Sequence, residues 1–131
     1  MNIRALSLAG VAAILFAAPA LAHHSFAMFN PDQSLTMEGN VTEFEWINPH
    51  VWLHAMIEDE DGQEYQWLFE MGSVGQLIRA GWTRETIKEG DTVTITFHPL
   101  RDGSRGGQLQ VMELAGGRVM RQGAGAVSDP P

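Results

Sequence analysis

The chain has 131 residues, no cysteine, 16 acidic against 8 basic residues and a formal charge of −8. An acidic balance disfavours nucleic acid, whose affinity rests on basic groups that neutralise phosphates. The missing cysteines exclude disulfides, thiol nucleophiles and thiolate metal sites, which leaves histidine, carboxylate and methionine for any metal.

Residues 1–22 have the layout of a secretory signal: Arg4, the apolar run "ALSLAGVAAILFAA", and Ala20-Leu21-Ala22 as a small-x-small cleavage site. Removing them takes away Arg4, their only charge, and moves −8 to −9. About 110 residues then remain, the size of one domain, and no later run approaches the ~20 apolar residues of a membrane-spanning helix. The expected setting is periplasmic or secreted.

Residues 23–33 read as an N-terminal arm and 34–120 as the folded domain. The first strand, "LTMEGNVTEFEW", places Leu35, Met37, Gly39 and Val41 on one face before Phe44 and Trp46 take the opposite parity. That phase change predicts a bulge near Thr42 and Glu43. In "VWLHAMIE", Val51, Leu53, Ala55 and Ile57 share one face and Trp52, His54 and Met56 the other. A helix over 48–62 is the rival, with Asn48 and Pro49 at its start, but it would set Glu58, Asp59, Glu60 and Asp61 at its negative pole. A hairpin turning at Asp61-Gly62 into "EYQWLFE" avoids this, with Tyr65, Trp67 and Phe69 on one face.

Ser73 caps a short helix carrying Val74, Leu77 and Ile78 and ending at Gly81. A second turn runs from Thr83 to Gly90. Strand four, "TVTITFH", turns Val93, Ile95 and Phe97 inward, and strand five, "QLQVMELA", follows the glycine-rich loop "PLRDGSRGG". The tail "RQGAGAVSDPP", residues 121–131, has little to bury and reads as disordered. Three strands, a helix and two strands, the first strand bulged, is the order of a five-stranded OB-like Greek-key barrel; a small β-sandwich is the alternative.

The chain also resembles a family of small secreted bacterial proteins of unknown function. The resemblance lies in the "AHHSF" start, Trp46-x-Asn48-Pro49-His50-x-Trp52, Gly81-Trp82, Gly90-Asp91, "HPLRDG" from His98, and the closing "GGRV". It implies a periplasmic or secreted bacterial setting and a strand over 51–57, and carries no activity.

In an OB-like barrel the first and last interstrand loops flank the ligand face. This nominates Trp46, Asn48, His50, Trp52, His98, Arg101 and Arg105 as a binding rim for a small ligand. The structural reading of the same residues has His50 and His98 tucked onto loop backbone, the arginines solvated, and the tryptophans in the core. The amides of the glycine-rich loop could receive a carboxylate or phosphate. His54, roughly 13 Å from His50 on an extended strand, cannot share its metal, and reads as a half-buried strand residue with a hydrogen-bond partner.

Cleavage before His23 would free an amine beside its own imidazole, a chelate suited to Cu(II). His24 with His50 or His98 would complete such a metal site. No nucleophile motif, phosphate loop or acid–base carboxylate pair is evident, so binding is the expected class and no catalytic residue is nominated. Copper carriage is one alternative, and an interaction subunit with a protein partner is the other.

Overall fold

A computed structural model describes residues 27–123 and the backbone of 127–128. The strands are β1 (Leu35–Glu45), β2 (Trp52–Glu58), β3 (Glu64–Glu70), β4 (Thr92–Pro99), β5 (Gly106–Leu114), β6 (Val119–Arg121) and β7 (Val127–Ser128), with one helix, α1 (Val74–Arg79), between β3 and β4. The sheet order is β3-β2-β1-β4-β5-β6-β7, and a parallel pairing of β3 with β5 closes the first five strands into a barrel. The single closed sheet has the OB-like order and sets aside the sandwich alternative.

Closure depends on two glycines. Gly106 and Gly107 sit where β5 is flanked by both β3 and β4, opposite Leu68 and Phe69 on one side and Pro99 on the other. A Cβ at Gly106 would collide with the Leu68 carbonyl oxygen, and one at Gly107 with the His98 carbonyl oxygen and the Phe97 ring. Backbone cannot yield there as a side-chain tip can, so the glycine pair lets three strands converge. Strand β5 consequently starts at Gly106, inside the run that the sequence assigns to a loop.

The bulge falls where the change of parity places it, with a register shift between Val41 and Glu43 against β2. Inward residues behave as the alternation requires: Leu53, Ala55, Phe69, Ile95, Phe97 and Leu109 are fully buried. The Phe69 and Phe97 rings meet edge-on with centroids 4.9 Å apart, and Trp67 adds an edge contact to Phe97 at 5.8 Å.

The Asp61-Gly62 hairpin replaces the rival helix. Gly62 has φ +77°, and the Asp59 carboxylate accepts from the Asp61 and Gln63 amides at 2.9 and 3.1 Å. Helix α1 starts at a reciprocal capping box between Ser73 and Gln76. Leu77 is its buried residue, and Ile78, expected to turn inward with it, is 58% exposed. Six residues make fewer than two turns, so Leu77 is buried and Val74 packs against the core while Ile78 is left on the outer side.

Residues 121–123, assigned by the sequence to the tail, belong to the fold. Arg121 ends β6, its carbonyl accepts from the Trp82 indole N–H, and the Gln122 side chain bridges the Gly72 amide and the Leu109 carbonyl. The segment buries little but supplies partners to buried polar groups, a role that hydrophobicity does not report.

Candidate functional site

The register lays one row of side chains across the outer face of the barrel. Glu45 pairs with Trp52, Trp52 with Glu70, Glu70 with Gln108, and Gln108 with His98. Directly paired residues project to the same face, and the inward neighbours Leu53, Phe69, Leu109 and Phe97 fix that face as the outer one.

Glu70 stands out in this row. It is the one charged residue among the described residues that is buried, at 7% exposure. Its Oε1 lies 3.0 Å from His50 Nδ1, and the same nitrogen lies 3.0 Å from the Met71 carbonyl oxygen. Both neighbours accept, so Nδ1 carries the proton and donates, leaving Nε2 as the nitrogen with a lone pair in the neutral ring. Burial pushes the Glu70 carboxyl above its ordinary range, and the nearby His50 charge works in the opposite direction.

Two cavities flank this pair. One, about 360 Å³, is of mixed character and lined by His50, Met71, Gly72, Gln76, Gln108, Gln110, Gln122 and Gly123. The other, about 280 Å³, is apolar: Met28, Phe29, Trp52, Leu68 and Leu100 line it, with Glu70 and Arg105 at its edge. Phe29 reaches it because the arm runs beside the loop after β4, where Phe29 bridges Leu100, the Asn30 amide donates to Pro99 and the Arg101 amide donates to Met28. Met28 and Leu68 remain 51% and 38% exposed at this cavity.

The nominated rim residues therefore separate. His50 pairs with Glu70, and Trp52 and Arg105 line the apolar cavity with that carboxylate. His98 is in the same row but two strands from Glu70, about 10 Å at the usual strand spacing, and its Nδ1 donates to the Gln33 carbonyl at 2.8 Å. Asn48 accepts from the Val74 amide at the start of α1. Trp46 packs against the core and the Phe44 ring, centroids 5.5 Å apart. Arg105 also lies over the Tyr65 ring, 3.7 Å from its centroid.

The loop from Arg101 to Arg105 does not offer the bare amides that an anion site there would need. The amides of Arg101, Gly103 and Ser104 donate to Met28, Leu100 and the Asp102 carboxylate, and the Arg105 carbonyl accepts from Leu68. A turn that spends its own donors has few left for an anion. His23 and His24 lie outside the described residues. Among those residues, no cluster of three potential metal ligands contains His50 or His98. His54 has the partner expected of a strand histidine, Glu45, at 3.0 Å.

Glu70 was missing from the sequence-derived site because strand parity turns it outward with Trp52. It shares its cavity with Phe29, Leu100 and Gly107, all distant in sequence. The tryptophans divide as well: Trp46, Trp67 and Trp82 serve the core, and Trp52 faces the cavity.

Comparison with known proteins places the chain in a family. The model of DUF6152, described as a family of unknown function, matches residues 11–110, and the chain belongs to that family. No curated protein and no solved structure matches it.

Proposed function

We propose that this member of a family without an assigned activity is a binding module of the bacterial envelope. It takes a small ligand with an apolar body and a hydrogen-bond-donating head. The observation that carries the reading is Glu70: a desolvated carboxylate at the wall of an apolar cavity, held by a single imidazole. Carboxylates are rarely buried for stability, since desolvation outweighs most of what the pair returns. A buried acceptor beside an aromatic wall is instead the composition of a small-molecule pocket.

In this reading Trp52, Leu68 and Phe29 enclose the apolar body, Glu70 accepts from the head group, and His50 keeps the carboxylate oriented. The exposed Met28 and Leu68 favour one competing reading, in which the cavity receives an apolar side chain of a protein partner.

Decylamine, decanol and decanoate separate these possibilities by titration against Trp52 fluorescence, with Trp52→Phe as the baseline. The amine is expected to bind more tightly than the alcohol, and the alcohol more tightly than the carboxylate; Glu70→Gln should erase the preference for the amine. Strongest binding by decanoate would assign recognition to Arg105 and overturn the role of Glu70. No binding of any of the three would leave the protein-partner reading in its place.

A further inference from the structure

The hairpin of β1 and β2 carries a second group of side chains, separate from the Glu70 cavity. Glu43 is the cross-strand partner of His54, Glu45 Oε1 lies 3.0 Å from His54 Nε2, and the donor atoms of all three residues lie within 4.8 Å of one another. The bulge creates this arrangement. The pairing advances from Val41↔Ala55 to Glu43↔His54, leaving Thr42 as the extra residue. In unbroken register Thr42 would face His54 and Glu43 would share the inward side with Leu53. The shift sends Phe44 toward the core and brings Glu43 and Glu45 onto the face of His54.

We propose that Glu43, Glu45 and His54 form a binding site for a divalent cation of borderline hardness, best matched by zinc. Two carboxylates and one imidazole are a three-ligand set that zinc accepts, with a fourth position left for water or an exogenous ligand. A tetrahedral ion with zinc-length bonds holds its donors about 3.3 Å apart. The His54–Glu45 pair is already at 3.0 Å, and Glu43, exposed on the surface, has room to swing in.

Charge favours the same occupant. Glu43 and Glu45 lie on one face of the hairpin beside His54, whose ring is paired with Glu45. Two carboxylates on one face of a strand repel each other, and a single imidazole cannot balance both. A divalent ion can, displacing the proton shared between His54 and Glu45.

The test is zinc titration of the full chain with the histidine rings followed individually by nitrogen-15 NMR, which separates His54 from the other four. Zinc is expected to move the His54 Nε2 resonance at micromolar concentration. Glu43→Gln, a neutral and near-isosteric change at an exposed position, should weaken that response by about tenfold or more, with the thermal midpoint of the metal-free protein equal to or slightly above that of the parent, since one of two repelling charges is gone. An unmoved His54 ring at millimolar zinc would reduce the trio to a solvated ion pair and overturn the proposal. An equal response in Glu43→Gln would overturn the three-ligand site. The amine series above does not involve these residues, so each proposal can fail alone.

Discussion

Removing the imidazole from the buried pair tests whether Glu70 is held as a charge. In His50→Ala, Glu70 loses its donor and the Met71 carbonyl loses the same one. The carboxylate then stays buried and unpaired or takes up a proton. Protonating a carboxyl of ordinary pKa 4.5 at pH 7 costs about 3.4 kcal/mol, and at pH 5 about 0.7 kcal/mol. Because Glu70 sits above that ordinary value, these figures are ceilings. Losing the Met71 contact adds about 1 kcal/mol at either pH. His50→Ala is therefore expected to destabilise by about 2–4 kcal/mol at pH 7 and by less than about 2 kcal/mol at pH 5.

In the parent protein the folded state holds the Glu70 proton at pH values where the unfolded chain has released it. That contribution to stability is complete below pH 4.5 and is lost as pH rises through the elevated folded value. Glu70→Gln keeps an acceptor for His50 and should stay within about 1 kcal/mol of the parent while flattening this dependence. Urea unfolding of the parent, both single variants and the double variant at the two pH values measures all of these terms. If the cost of His50→Ala is the same at both, and survives in the double variant, the imidazole acts by packing and the charge argument fails.

Three further outcomes follow from the same structure. Gly107→Ala drives a methyl into the His98 carbonyl and the Phe97 ring and should cost more than about 3 kcal/mol, as overpacking against backbone does at its upper end; a soluble variant with unaltered thermal midpoint would contradict the closure account. Gln122→Ala leaves the Gly72 amide and the Leu109 carbonyl without their side-chain partner and is expected to cost about 1–3 kcal/mol, read as a shift in the urea midpoint. Arg105→Ala removes a cation from the half-buried Tyr65 ring and should lower stability by no more than about 1 kcal/mol, so a larger thermal shift would show a structural role for this arginine.

The barrel was legible because alternation is a local property. Leu53, Ala55 and Ile57, or Val93, Ile95 and Phe97, declare their face in five residues, and the change of parity at Thr42 marks the bulge. What escaped was settled between distant segments. Gly106 and Gly107 look like loop residues until β3 and β4 are both placed against them. Ile78 follows a helical pattern that six residues cannot exploit. Gln122 lies in a polar, glycine-rich run and still completes the hydrogen bonds of the Gly72 amide and the Leu109 carbonyl.

The site follows the same division. The rim residues were nominated for their own chemistry and for lying in or beside the first and last interstrand loops, whereas the pocket proposed above centres on Glu70, which borders neither loop. Glu70 ends a strand, outward by parity, and is buried at a cavity that it shares with Phe29 and Leu100, residues distant from it in sequence. The Glu43–Glu45–His54 group was within reach of the sequence, since the bulge and the hairpin turn together define the pairing of β1 with β2. Applying that register to side chains would have set two carboxylates against one imidazole. Chemistry-bearing residues in a small barrel are thus better sought along the rows that strand pairing creates than in its loops alone, because a row brings together residues that loop position and residue type leave apart.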